Sequence, residues 1–195
     1  MANESRTLFL ASQSPRRQEL LRQLGLSFEV LDATIEERQL PGESALDYVR
    51  RVARDKAAAG WMQVAHIPGA VVLGSDTEVV LDGVVFGKPV DREDASRMLV
   101  LLSGRTHEVH TAVAVKSAGR SSDVLHTSKV RIADWPEAAM SSYLDSGESM
   151  GKAGAYAIQG RAAAWIPSLD GSHSGVMGLP LFETAQLLRE YGLDC

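Results

Sequence analysis

The sequence predicts an α/β protein, because apolar strand patterns alternate with amphipathic helix patterns along the whole chain. Two observations carry this prediction. Residues 8–24 read as a strand, a short polar turn and a helix, and residues 70–76 (AVVLGSD) form a buried-type strand that follows a Pro-Gly break. No repeat, low-complexity tract or linker interrupts the 195 residues, so we predict a single domain over residues 1–195.

The first helix begins with strong local signals. Ser14 is a suitable N-cap, and Pro15 then falls at the first helical position, where its missing N–H costs nothing. Arg16 and Arg17 follow directly, beside the polar Ser12. Free amides, the positive end of a helix dipole and guanidinium groups all favour an anion such as phosphate. An ordinary capped helix with solvated arginines is the alternative interpretation.

The next elements follow from spacing and turn residues. Residues 26–31 (LSFEVL) predict a strand, and the apolar spacing over residues 45–62 predicts a helix. Residues 77–81 form a further extended run, and Asp82-Gly83 then predicts a hairpin turn between VVL and VVF. Residues 91–102 predict a helix with acidic residues in its first turn.

The second half continues the alternation. Two apolar runs on either side of a Gly/Ser-rich turn predict antiparallel strands at residues 107–116 and 124–133. A short helix is predicted at residues 136–144, a strand at residues 163–169, and a helix opened by Gly-Leu-Pro at residues 181–191. Between them, the glycine-rich GKAGAYAIQG indicates backbone brought close to another group.

Composition restricts the function classes. The formal net charge of −5 argues against a general binder of nucleic acid, so a phosphate site must be a local basic pocket. There is no membrane-length apolar run, and the N-terminal MANESRTLFLASQS lacks the pattern of a secretion signal. The single cysteine, Cys195, excludes an intramolecular disulfide and suits a reducing compartment, so we expect a cytoplasmic protein.

Two carboxylates are candidates for chemistry. Asp76 comes where an apolar strand turns polar, which is where open α/β sheets carry functional groups. Together with Glu37 it could hold a divalent cation through oxygen ligands, or it could act as a general base on water. An aspartate that caps the following turn is the alternative interpretation.

Three further polar residues stand out. Lys88 lies between Gly87 and Pro89, which restricts where its ammonium group can point. Lys56 falls on a predicted amphipathic helix, where a solvated lysine is the ordinary alternative. Gln159 lies among apolar and glycine residues; its amide suits the edge of a nucleobase, although a buried structural glutamine would give the same pattern.

Several mechanisms are disfavoured by missing or mismatched patterns. His107 and His110 are three apart on a predicted strand, hence on opposite faces, so we interpret both as ordinary strand residues and not as metal ligands. The chain has no P-loop, no GxGxxG after a strand, and no nucleophile elbow. The remaining arginines, lysines and carboxylates suit metal-assisted attack of water on a phosphoanhydride.

Five motifs in order give the chain a family resemblance. ASQSPRRQELL, GSDTEVVLDGVVFGKP, LSGRTHEVHTAVAV, GAYAIQG and GLPLFET closely resemble the Maf family of nucleotide pyrophosphatases, from about Leu8 to Leu188. The resemblance implies a two-lobed α/β fold with an extended mixed sheet, flanking helices and a deep central cleft, similar to the inosine triphosphate pyrophosphatases. It also implies metal-assisted hydrolysis of a nucleoside triphosphate to a monophosphate and pyrophosphate, with Mg²⁺, Mn²⁺ or Co²⁺.

The resemblance also implies roles for individual residues. Asp76 matches the family's proton acceptor, and Glu37 matches its acidic residue, so these two are the implied metal ligands. The implied catalytic and substrate-binding residues, by position in the motifs, are Glu37, Lys56, Asp76, Lys88, Ser12, Arg16, Arg17, Thr77 and Gln159.

Three of these positions distinguish the branches of the family. Arg16, Thr77 and Gln159 resemble the branch that acts on dTTP and UTP, in which an amide and a hydroxyl can read a pyrimidine edge. A 7-methyl-GTP pyrophosphatase is the alternative within the family, and a nucleotide-binding regulator of septum formation is the alternative outside catalysis. The resemblance further implies a possible homodimer, with no nucleic-acid or membrane partner.

Overall fold

Strands from the whole chain join in one mixed sheet in a computed structural model, which describes residues 6–195. The strands are β1 (Thr7–Leu10), β2 (Phe28–Val30), β3 (Ala70–Leu81), β4 (Val84–Phe86), β5 (Thr106–Ser117), β6 (Arg120–Arg131) and β7 (Ser168–Asp170). Their order is β2-β1-β3-β5-β6-β7, and β4 pairs with β3 outside that path.

Helices separate most of the strands. They are α1 (Pro15–Gln23), α2 (Ala45–Val64), α3 (Arg92–Leu102), α4 (Glu137–Asp145), α5 (His173–Met177) and α6 (Leu181–Arg189), with short 3₁₀ helices at Ala153–Ala155 and Arg161–Trp165. Ser14, Ser44 and Asp91 each cap a helix by accepting a hydrogen bond from a backbone N–H of the first turn. Polar residues placed before apolar periodic segments therefore fix where α1, α2 and α3 begin.

The chain divides into two compact units. The first unit contains the described residues up to Asp76, together with Thr111–His126 and Gly178–Cys195. In it β1 pairs in parallel with both β2 and β3, which is the arrangement that strand–helix–strand connections produce. Apolar side chains of α2 and of the sheet form its cores, among them Val49, Ala53, Ala57, Ala112, Ala114, Phe9 and Val72.

The second unit contains Thr77–His110 and Thr127–Met177. Two of its strand pairs are antiparallel: β3 with β4, and β6 with β7. The β3–β4 turn has positive φ at Asp82 (52°) and Gly83 (78°), as expected of an Asp-Gly hairpin turn. A larger core lies within this unit, and it includes Val79, Phe86, Leu99, Leu102, Ile132, Trp135, Tyr143 and Tyr156.

The predicted fold class is confirmed, since the chain is a mixed α/β protein with flanking helices. The strand predicted at residues 163–169 is wrong: residues 161–165 form a 3₁₀ helix, and only Ser168–Asp170 is extended. The runs at residues 70–76 and 77–81 are one strand, because the polar residues in its middle are buried rather than turned to solvent.

Three predictions remain predictions: one domain over residues 1–195, the central cleft and the likeness to the inosine triphosphate pyrophosphatase fold. The sequence predicts no secretion signal in the N-terminal segment, and residues 1–5 of that segment lie outside the described residues. Among the residues that are described, no helix is long and apolar enough to cross a membrane.

Candidate functional site

The start of α1 has the predicted capped geometry. Ser14 caps the helix, since its side chain accepts from the Arg17 backbone N–H at 3.5 Å. The Ser12 hydroxyl accepts from the Ser14 backbone N–H at 3.2 Å and from Arg17 Nη1 at 3.5 Å. A hydroxyl-lined turn and a fixed guanidinium group therefore meet at a helix N-terminus, which is a suitable arrangement for an anion.

Arg17 is held from the far end of the sequence. Its Nε donates to the backbone carbonyl of Gly178 at 2.9 Å, and the fully buried Ser75 hydroxyl donates to the same carbonyl at 2.9 Å. Gly178 thus links the arginine of α1 to the residue that precedes Asp76 in β3. Sequence reasoning did not select Ser75 or Gly178, and the only available signals were their positions within the motifs around Asp76 and before α6.

The centre of β3 holds a buried ion pair. Asp76 is 4% exposed and Lys56 is 7% exposed, and their Oδ1 and Nζ atoms are 2.7 Å apart. Lys56 Nζ also lies 2.7 Å from Glu37 Oε1. The two carboxylates predicted to act together therefore meet, and a lysine ammonium group lies between them.

The positions of Lys56 and Asp76 exclude the alternative interpretations of both residues. Lys56 is buried on the inner face of α2, so the solvated-lysine alternative is wrong. Asp76 lies in the middle of a strand that continues to Leu81, so it does not cap a turn at the end of that strand. The prediction that the strand ends near Asp76 is wrong for the same reason.

A glycine lets α2 approach β3 closely enough to place Lys56. A Cβ atom at Gly74 would lie 2.5 Å from the Ala53 carbonyl oxygen and 2.6 Å from the Ala57 backbone nitrogen. Such contacts are far below van der Waals separation, so only glycine allows the helix backbone to lie against the strand at this point. Lys56 precedes Ala57 on this helix, and Asp76 follows Gly74 by two positions on the strand.

The electrostatics of the cluster leave one acceptor unused. Asp76 Oδ2 is buried and has no hydrogen-bond partner among the described residues. Arg16 is half-buried beside the start of α1, and burial lowers its pKa from the ordinary value. Within the described part of the chain, no three His, Cys, Asp or Glu side chains form a ready metal-binding group.

The remaining predicted residues belong to the second unit. Thr77 follows Asp76 directly and is half-buried, while Lys88 is exposed in the turn after β4. The Gly154 N–H donates to the Gly87 carbonyl at 3.2 Å, so the glycine-rich segment lies against the turn that carries Lys88. Gln159 is exposed, so the alternative of a buried structural glutamine is wrong.

The site residues therefore form two groups, one in each unit. In the first unit, hydrogen bonds and ion pairs join Ser12 to Arg17 and join Glu37, Lys56 and Asp76. In the second unit, the Lys88 turn contacts the segment that carries Gln159. The assignment of catalytic and binding roles to these residues stays a prediction.

The fold and site define a mixed α/β protein in which a basic helix start is linked to a buried acid–lysine cluster. A family model described as Maf-like protein matches residues 7–191. The chain belongs to the Maf family, which confirms the family predicted from the five motifs.

Relatives extend the match over nearly the whole chain. A Bordetella parapertussis protein named dTTP/UTP pyrophosphatase is 51% identical over 99% of this chain and 96% of its own length. A Xanthomonas campestris protein of the same name is 54% identical over 95% of this chain and 98% of its own length. A solved structure, the Staphylococcus aureus Ham1 protein, shows a weaker likeness at 13% identity and a TM-score of 0.45, covering 66% of this chain and 73% of that one.

Proposed function

We propose that this protein hydrolyses nucleoside triphosphates to a monophosphate and pyrophosphate, with dTTP and UTP as the favoured substrates. Relatives that are 51% and 54% identical carry the name dTTP/UTP pyrophosphatase, and they match nearly the full chain. The observation that carries the proposal is the buried pair of Asp76 and Lys56, which the exposed Glu37 also contacts through Lys56, since a protein that only bound a nucleotide would not need a buried acid.

The basic residues bind the triphosphate in this proposal. Arg16, Arg17 and Lys88, with Ser12, offset the charge of the phosphates and the charge that develops on the leaving pyrophosphate. The bond from Arg17 to the Gly178 carbonyl supports this role, because an arginine fixed before substrate arrives needs less reorganisation during the reaction.

Asp76 acts on water in this proposal. The carboxylate accepts a proton as the water oxygen bonds to phosphorus, and the P–O bond between the α- and β-phosphates breaks to release pyrophosphate. Two features support Asp76 as the base: its Oδ2 atom lacks a partner among the described residues, and Lys56 holds the other oxygen in place. The Lys56 ammonium group stabilises the anionic transition state.

A divalent metal fits the same carboxylates. Mg²⁺ and Mn²⁺ prefer oxygen ligands, and Mg²⁺ is often held by one or two carboxylates together with substrate phosphates. Asp76 and Glu37 both supply hard carboxylate oxygen atoms, and Lys56 brings the two side chains together. We propose that these two residues hold Mg²⁺, Mn²⁺ or Co²⁺, which when bound supplies charge neutralisation to the phosphates.

In this proposal Gln159, Thr77 and Arg16 select the base of the nucleotide. Gln159 offers an amide that can donate and accept at the pyrimidine O4/N3–H edge, and Thr77 offers a hydroxyl. The exposure of Gln159 supports this role, because an exposed amide is accessible to a ligand.

The test is release of pyrophosphate from a panel of dTTP, UTP, 7-methyl-GTP and ATP, each with Mg²⁺, Mn²⁺ and Co²⁺. We expect the highest kcat/KM with dTTP and UTP, and no turnover after chelation of the metal. A preference for 7-methyl-GTP would instead assign the chain to the other branch, and binding of all four without turnover would support a regulator.

We further propose a cytoplasmic location and a homodimer. The single Cys195 supports a reducing compartment, because the chain has no second cysteine with which to form a disulfide. The homodimer rests on the family resemblance, and light scattering across a range of protein concentrations tests it.

A further inference from the structure

The segment that carries Gln159 has an unusual backbone. Gly154 (φ 68°) and Ala155 (φ 61°) both adopt the left-handed region, which L-residues other than glycine rarely occupy. A strained alanine of this kind persists only where the surrounding contacts hold it, and such strain is common at sites that clamp ligands. Contacts on both sides of Gln159 must therefore hold this segment in place.

A buried hydrogen bond anchors the segment to β5. His107 Nε2 and the Tyr156 hydroxyl are 2.8 Å apart, and the two rings meet edge to face with centroids 5.4 Å apart. His107 is 2% exposed and Tyr156 is 5% exposed. Burial lowers the pKa of His107 to about 4, so its imidazole is neutral near pH 7.

A second anchor follows Gln159 in the chain. The carboxylate of Glu148 accepts from the Arg161 backbone N–H at 3.0 Å, at the start of the 3₁₀ helix. Gly160 lies so close to this carboxylate that an added Cβ atom would collide with Glu148 Oε2. The backbone is therefore fixed on both sides of Gln159.

Gln159 itself is the exposed residue of an otherwise buried run. Residues 154–158 are buried, and the Gln159 side chain forms no hydrogen bond within the part of the chain that the structure describes. A free amide on a rigid backbone is a favourable arrangement for reading a ligand, because little conformational freedom is lost on binding.

We propose that His107 and Tyr156 are positioning residues for base discrimination, acting through Gln159. Their hydrogen bond fixes the backbone three residues before Gln159, so that the amide meets the pyrimidine edge in one orientation. This inference rests on the proposed pyrimidine preference, and it gives a function to a histidine that the sequence presents as an ordinary strand residue.

The test is a double-mutant cycle with the ratio of kcat/KM for dTTP to that for ATP as the readout. Tyr156→Phe keeps the ring and removes the hydroxyl, and we expect the ratio to fall about tenfold, the typical effect of one lost hydrogen bond. In a Gln159→Ala background the same substitution should change the ratio little, because the residue through which it acts is gone.

Two further variants separate positioning from general destabilisation. Tyr191→Phe also removes a buried tyrosine hydroxyl, one that donates to the Val115 carbonyl at 3.0 Å, and we expect it to lower stability without changing the ratio. His107→Gln keeps a group that can bond to Tyr156 and should retain most of the discrimination, whereas His107→Leu should lose it.

Three results would overturn the positioning role of His107 and Tyr156. In the first, the wild type prefers dTTP and Gln159→Ala removes that preference, while Tyr156→Phe and His107→Leu keep it. That result would overturn the positioning role alone. Equal losses for Tyr156→Phe in both backgrounds would overturn it too. A wild-type protein that shows no pyrimidine preference would overturn both this inference and the proposed function.

Discussion

A charged pair such as Asp76 and Lys56 is costly to bury, and the protein compensates with short contacts. Removing both groups from water carries a desolvation penalty of several kcal/mol per ion, which their mutual attraction offsets only when the geometry is good. Here Lys56 Nζ contacts both Asp76 and Glu37 at 2.7 Å. Since hydrophobic residues would fill this position at lower cost, the pair is better explained by chemistry than by stability.

Asp76→Asn should abolish turnover and leave a folded protein. An amide has nearly the same shape but can neither accept the proton nor offer a full negative charge, so we expect kcat/KM for dTTP to fall by about 10²–10⁴. Asp55→Asn is the matched control, because Asp55 is an exposed aspartate on α2 paired with Arg51 at 3.2 Å. Pyrophosphate release and the melting temperature are measured for both; near-normal activity in folded Asp76→Asn would exclude Asp76 from the mechanism.

Arg17→Ala should lower kcat/KM strongly. The expected loss of transition-state stabilisation is roughly 2–4 kcal/mol, as for deletion of one preorganised donor. The loss follows from the bond to the Gly178 carbonyl, which holds the guanidinium group before substrate binds. Arg22→Ala is the control on the same helix, since Arg22 is exposed and its guanidinium group donates to the Gln18 side chain at 3.3 Å. Equal kinetics for the two variants would show that Arg17 is a surface charge.

At the scale of elements, the contact between α2 and β3 positions the catalytic candidates. Lys56 comes from the helix and Asp76 from the strand, and the two elements are closest at Gly74. Any side chain there must push the helix backbone away, because the nearest atoms are the Ala53 carbonyl oxygen and the Ala57 nitrogen rather than a flexible side chain.

Gly74→Ala should therefore reduce both stability and activity. Overpacking of this kind costs typically 1–3 kcal/mol, and displacement of α2 would lengthen the Lys56–Asp76 contact. Gly87→Ala is a control for stability alone, because a Cβ atom there meets nothing within 4 Å and its φ is not in the left-handed region. Urea unfolding measures both variants; equal stability for the two would contradict the close packing at Gly74.

The sequence predicted elements well where the signal was local. Ser14 and Pro15 marked the start of α1, and Asp82-Gly83 marked the hairpin, because capping and turn geometry depend on adjacent residues. The strand predicted at residues 163–169 is wrong because a short apolar run suits a helical turn as well as a strand.

Contacts between distant residues could not be predicted in the same way. The bond from Arg17 to Gly178 spans 161 positions, and the burial of Lys56 depends on a glycine in another element. The pairing of Asp76 with Glu37 was predicted as a functional hypothesis, but the lysine between them was visible only in the structure.

At the scale of the whole molecule, β3, β5 and β6 each contribute residues to both units. The net charge of −5 contrasts with the basic groups around α1, so attraction of a polyanion must be local rather than general. The buried histidines of β5 matter at this scale as well, because burial lowers the pKa of His107 and of His110 and thereby ties the stability of the fold to pH.

The free energy of unfolding should fall as the pH is lowered from about 6.5 towards 4. The unfolded chain binds a proton at His107 near its ordinary pKa of 6.5, while the folded protein resists it until about pH 4, so protonation favours the unfolded state in this range. The difference between the two pKa values of His107 corresponds to about 3 kcal/mol of stability. This stability is fully present above pH 6.5 and is lost as the pH approaches 4. His110 contributes in the same direction. Urea unfolding at pH 7.5, 6.0, 5.0 and 4.5 measures it, with His107→Gln as the comparison. The variant keeps a polar group but cannot titrate, so its stability should depend less steeply on pH, and parallel curves for the two proteins would show that His107 is not the group that titrates.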